Sequence, residues 1–184
     1  MTVLIEKKIR NFAALMSLYC VGTVSPSQMV SAKNVSAKPF DAVLPTLRMS
    51  GVPLRLPTVF PFPPGYEETV YTCWPKADKT TYFVDLGTAY PCSHATHYGT
   101  VQGSTHPFAY GHGERAAILL DNGIDGEFES FTCGGSCDDD SLTWKQGGYF
   151  YRVTMSVDYS GLIKNFANSM IDDAVQDTPP VSKR

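Results

Sequence analysis

The sequence predicts an α+β domain, an antiparallel β-sheet with a C-terminal amphipathic helix packed on it. Three observations carry this. Tyr82, Val84 and Leu86 alternate with Thr81, Phe83 and Asp85, the period-two pattern of a half-buried strand. Leu142 to Gln146 and Tyr149 to Val157 flank Gly147-Gly148, a pair suited to the positive φ angles of a tight hairpin turn. Leu162, Ile163, Phe166, Ala167, Met170 and Ile171 then recur at helical spacing as one apolar stripe, which needs a sheet to lie on. Strands followed by one terminal helix argue for an antiparallel sheet.

In chain order, the N-terminus reads as a targeting segment. Lys7, Lys8 and Arg10 precede a mostly apolar stretch from Phe12 to Val24, and Val30-Ser31-Ala32 and Val35-Ser36-Ala37 follow as small-residue cleavage sites. That order describes a secretory signal peptide over 1–32, with cleavage after Ala32 or Ala37. Tyr19 stands where a lipobox carries a small residue, which disfavours lipidation of Cys20. The expected address is secreted or periplasmic. The 184 residues carry a formal charge of -3; loss of 1–32 removes three basic residues and one acidic residue, giving -5. This balance holds no electrostatic footprint for nucleic acid. No apolar run approaches the ~20 residues of a membrane span.

Residues 33–50 read as a polar, loose lead-in, and 51–175 as a single domain large enough for its own core. Pro53, Pro57, Pro61, Pro63 and Pro64 exclude a helix interior or a central strand, yet Leu54, Leu56, Val59, Phe60 and Phe62 are apolar. The segment is expected to lie extended and cover a sheet edge. Short strands follow at Thr69 to Trp74, Thr80 to Leu86 and His97 to Gly103, with a loop over 104–115. Ala116 to Leu120 and Glu127 to Cys133 flank the turn formers Asp121 to Gly126. A calcium loop fails there, because Gly123 and Thr132 occupy ligand positions. Asp158 or Ser160 is expected to cap the helix, and 176–184 to be a disordered tail.

Beyond the leader, four cysteines remain: Cys73, Cys92, Cys133 and Cys137. In an exported chain they predict disulfides, with three possible connectivities. Two glycines between Cys133 and Cys137 allow a small ring, which leaves Cys73 to pair with Cys92. The competing arrangement is a zinc site.

Leu54-Arg55-Leu56-Pro57, Cys133-Gly134-Gly135-Ser136-Cys137, Trp144 with Gly147-Gly148-Tyr149-Phe150-Tyr151, and Ala167-Asn168-Ser169 stand in that order. In this the chain resembles a group of uncharacterised secreted bacterial proteins common in cyanobacteria. The portion with Trp144, Gly147, Gly148, Tyr149, Ala167 and Asn168 is also loosely similar to the C-terminal ends of lipoprotein-carrier-like domains. That resemblance implies a strand pair leading into a helix laid on a curved antiparallel sheet. The chain departs from the group near Cys92, where a second cysteine is expected and His97 and Tyr98 stand instead. No catalytic residues carry over from the resemblance, and no cofactor is expected.

All four histidines, His94, His97, His106 and His112, fall within one short stretch. His94-x-x-His97 shares a metal if the segment curls into a turn; in an extended strand the two point to opposite faces. The other reading is a glycine-rich surface loop. Cys133 to Cys137 lacks the aromatic and the downstream histidine of a papain-type nucleophile, and no serine-hydrolase elbow is present. Three classes of function therefore stand: a non-enzymatic envelope domain binding a protein or hydrophobic ligand, a histidine-cluster metal-binding protein, and a small hydrolase with an unrecognised site. The apolar helix stripe with Tyr82, Tyr149 and Tyr151 either fills a core or lines a concave apolar space.

Overall fold

The computed structural model describes residues 38–66, 68–131, 139–156 and 161–172. The expected leader, the Cys133–Cys137 bridge, the helix cap and the tail lie outside these residues. Seven strands form one antiparallel sheet: β1 (Tyr71–Ala77), β2 (Thr81–Gly87), β3 (His97–Ser104), β4 (Glu114–Leu119), β5 (Asp125–Ser130), β6 (Asp140–Gln146) and β7 (Tyr149–Met155). Their spatial order is β1-β2-β3-β7-β6-β5-β4, with β1 and β4 at the edges. A four-residue helix α1 (Leu44–Leu47) precedes the sheet, and α2 (Ile163–Asp172) follows it and packs on β6 and β7. The expected α+β architecture is the observed one. Gly147 and Gly148, at φ 61° and 89°, make the β6–β7 turn.

Cross-strand register sorts the side chains into two faces, because the period along a strand is two. One inner row runs Val84, Val101, Val153, Leu142, Phe128, Ala116 across six strands. The next runs Ala77, Tyr82, Gly103, Tyr151, Trp144, Gly126, Ile118 across all seven. Gly103 belongs there because a Cβ at that position would sit 2.2 Å from the Tyr82 ring. The helix buries Phe166, Ala167 and Met170 completely against this face.

Two expectations need correction. The proline-rich segment does not guard an edge; it crosses the inner face as a strap beside α2. Tyr151 Oη donates to Pro53 O (3.2 Å), Tyr82 Oη to Arg55 O (3.0 Å) and Tyr98 Oη to Pro61 O (2.8 Å). A strap so rich in proline lacks the N–H groups to join a ladder, so its carbonyls are satisfied by phenols rising from β7, β2 and β3. Arg55 also donates to the α2 carbonyls of Met170 (3.2 Å) and Ile171 (3.4 Å), closing the last turn of the helix.

The second correction concerns the lead-in. From Lys38 onward it is folded, and Phe40, Val43 and Leu47 are buried in the core. Phe40 stacks on Phe60 with ring centroids 6.0 Å apart, and Thr72 Oγ1 donates to Pro39 O at 2.7 Å. Three apolar anchors at helical spacing outweigh the polar composition around them.

Phe60, Tyr98 and Phe166 form a mutual triangle, with centroids 6.2, 5.9 and 5.8 Å apart. Their rings fill the space between helix, strap and sheet. Among the described residues, the apolar helix stripe serves as core.

Candidate functional site

The outer face of the sheet is polar where the inner one is apolar. Cys73, Asp85, Thr100, Thr154, Ser141, Glu129 and Arg115 form a single row across seven strands. The adjacent row runs Lys76, Phe83, Gln102, Arg152, Thr143, Glu127, Ala117. Two acids near the ends of the first row, Asp85 and Glu129, each hold a different piece of chain in place.

His97 reaches this face because of a bulge. Leu86 pairs with Gly99 but Gly87 pairs with His97, which leaves Tyr98 as an extra residue. Strict alternation from inward-facing Gly99 would send Tyr98 outward and His97 inward. The bulge reverses both, giving the core its tyrosine and the outer face its histidine. There His97 Nε2 lies 2.6 Å from Asp139 Oδ2, and Nδ1 lies 3.1 Å from Asp85 Oδ1. The Asp85 contact is one of charge: that buried oxygen makes no aligned hydrogen bond. Thr154 Oγ1 donates to the same Asp139 oxygen at 3.0 Å and lies 2.9 Å from Thr100 Oγ1. The hydrogen bond to Asp139, reinforced by Asp85 and opposed by partial burial, pushes the His97 pKa up to about 10.

A doubly held imidazolium has a definite chemistry. Both ring nitrogens carry protons near neutral pH, so His97 offers a metal no lone pair and a nucleophile no base. Its effect is to tie β2, β3 and the start of β6 together. His94 lies in a single 3-10 turn (His94–Thr96) just before it, while His106 and His112 sit in the loop between β3 and β4; all three are exposed. Among the described residues, no three His, Cys, Asp or Glu side chains are grouped to hold a metal ion.

The 105–113 loop is fastened over the other half of this face. Buried Glu129 accepts hydrogen bonds from the backbone N–H groups of Gly111 and Gly113, both at 3.2 Å. A Cβ on Gly113 would lie 2.3 Å from Ser130 O, so glycine is required for this approach. Arg152 donates to Ala109 O at 2.7 Å and stacks over Phe108, 4.6 Å from the centroid; Arg115 stacks likewise over Tyr110 at 4.7 Å. Burial pulls the Arg152 pKa down, while the Glu129 charge counters that pull.

At the β1 side, Cys73 and Cys92 are joined by a disulfide. It lies over Gly87, where a Cβ would be 2.8 Å from Cys92 Sγ. Tyr71 and Tyr90 pair beside it with centroids 6.4 Å apart, and both are exposed, Tyr90 by 74%. Trp74, next to Cys73, is 57% exposed and has φ 46°, left-handed backbone that a bulky residue seldom adopts. It falls in a β1 bulge between Cys73 and Lys76.

The hairpin and helix motif residues all have structural places. Trp144 stacks on Tyr151 at 5.7 Å, Ala167 is fully buried, Tyr149 packs partly buried on the core, and Asn168 Oδ1 accepts from Asp121 N at 3.1 Å. Sequence reasoning found the cysteine pair and the histidine stretch but missed both carboxylate clamps. Asp85, His97 and Asp139 are spread over 54 residues, and only register brings them together. The one legible signal was Asp85 on the polar side of a well-patterned strand.

What fold and site define is a disulfide-bonded α+β domain with a filled core and a charged, loop-covered outer face. No protein family, curated protein or solved structure matches the chain.

Proposed function

We propose that this chain is an exported, non-enzymatic binding protein, secreted or periplasmic, which recognises a partner protein through the aromatic corner at Tyr71, Trp74 and Tyr90. The corner carries the reading. Three large aromatic side chains are exposed within two residues of the disulfide cysteines, Tyr71 and Tyr90 with their rings paired, and Trp74 has left-handed backbone. Exposed Tyr and Trp on a stiff frame are the residues that dominate protein recognition, since they bury much area at small entropic cost. Strain retained at an exposed position points the same way. The disulfide and the likeness to secreted bacterial proteins and carrier-like domains support an extracytoplasmic address.

A hydrophobic ligand inside the domain draws less support, because Phe60, Tyr98 and Phe166 take up the space it would need. Metal binding loses His97 to its two carboxylates, and the same clamp removes the obvious general base for a hydrolase. The test is affinity capture from the extracytoplasmic fraction of the producing cells, comparing wild type with a Tyr71→Ser, Trp74→Ser, Tyr90→Ser variant. One defined partner retained by wild type and lost by the folded variant is expected. Equal capture by both, or by neither, overturns the reading.

A further inference from the structure

The two edges of the sheet are built differently, and the difference points to a second site. β1 is defended: a bulge breaks its register, Pro75 withholds an N–H, Lys76 is exposed, and the lead-in packs along it. These are the devices by which natural sheets prevent strand addition. β4 has neither bulge nor proline, and its only charges, Glu114 and Arg115, stand at one end. Its six residues, Glu114–Leu119, pair with β5 in unbroken register and contain no proline. Among the described residues nothing pairs with its other side, and Glu114, Arg115, Ala116, Ala117 and Leu119 are exposed. An open edge of this kind offers a row of N–H and C=O groups to another strand.

We infer that β4 pairs antiparallel with β4 of a second copy of this chain, joining two seven-stranded sheets into one across a twofold axis. The charges permit this occupant and narrow its register. A dyad perpendicular to the sheet sets one residue opposite its own copy, and cross-strand like charges repel. Centred on Glu114 or Arg115, the dyad opposes like charges. Centred on Ala116, it opposes two small residues, places Arg115 against Ala117 and Glu114 against Ile118, and opposes no like charges. Centred on Ala117 it is equally free of repulsion, with Ala116 against Ile118 and Arg115 against Leu119. Centred on Ile118 or Leu119 the dyad also opposes no like charges but pairs three residues or one of the strand, whereas the two alanines, at its middle, each pair five. Both faces also stay continuous through such an axis, inner beside inner and outer beside outer.

The experiment is sedimentation equilibrium of the whole chain at micromolar to hundred-micromolar concentration, with Ala116→Lys and Ala117→Lys variants. Both positions are exposed, so the variants should fold; circular dichroism and melting temperature check this. Expected are a dimer for wild type and a shift towards monomer of tenfold or more in dissociation constant for at least one lysine variant, where a charge would face its own copy. Ala116→Cys and Ala117→Cys give a second measurement independent of stability. Under mild oxidation one of them should form a covalent dimer that wild type and Glu114→Cys do not. A monomeric wild type, with the edge covered by residues 1–37 or 173–184 of its own chain or by nothing, overturns the inference. So does a dimer unaffected by either lysine and cross-linked by neither cysteine.

Discussion

The two faces of the sheet solve opposite problems with the same strands. The inner face is held by area: valines, aromatic rings and the helix exclude water, and its phenols are bonded to the strap. The outer face is held by charge. Asp85 and Asp139 hold His97, Glu129 holds the Gly111–Gly113 backbone, and Arg152 holds Ala109 and Phe108. An apolar contact is graded and insensitive to pH, whereas a paired charge titrates. The inner face should therefore set how stable the domain is, and the outer face under which conditions.

The strongest way to break the inner face is Ala167→Asp. Ala167 is fully buried against β6 and β7, so the carboxylate would meet no partner and the cost should be ~3–5 kcal/mol, enough to unfold much of the population. Denaturant titration measures it, and an unchanged midpoint would mean that α2 does not pack as described. Next in size is the disulfide, which spans 19 residues of sequence. Replacing Cys73 and Cys92 by Ser should cost ~2–3 kcal/mol through the unfolded state, with the inner-face packing retained in near-ultraviolet circular dichroism.

The outer face is sharpened by pH. His97 is raised from its ordinary value of 6.5 to about 10 in the folded protein. Its contribution is therefore fully present below about pH 6.5 and is lost as pH rises through about 10. Comparing wild type with His97→Gln from pH 6 to 10.5 should show a difference on the order of 2 kcal/mol at the acid end that closes towards the alkaline end. A difference independent of pH would reduce His97 to packing. The smallest effect belongs to the strap: Tyr98→Phe removes the proton donated to Pro61 O and should cost ~1 kcal/mol. Urea midpoints of the two proteins decide it.

Much of the architecture was legible from local pattern. Period-two alternation located β2 and β7, Gly147-Gly148 located their neighbour's turn, and the stripe from Ile163 to Ile171 located α2, because a half-buried element must show its own period. β3 was harder to weigh. As the strand at the centre of the β1-β2-β3-β7 half it carries glycines where bulk would mark a core position: the Tyr82 ring takes the space at Gly103, and a Cβ on Gly99 would lie 2.1 Å from Thr154 O. The Cys73–Cys92 pair was legible by elimination among a few cysteines.

Composition and periodicity by themselves determined the class of fold and the direction of the helix face, which depend on near neighbours along the chain, and the small number of cysteines determined one disulfide. Tertiary structure alone decided that the proline-rich segment crosses a face, that Phe40 and Leu47 belong to the core, and that His97 stands between two carboxylates. The physical reason is common to all three. Each depends on contacts between segments far apart in the chain, and for His97 on strand register and one extra residue at Tyr98, where a shift of one position changes a side chain's face without changing any local pattern.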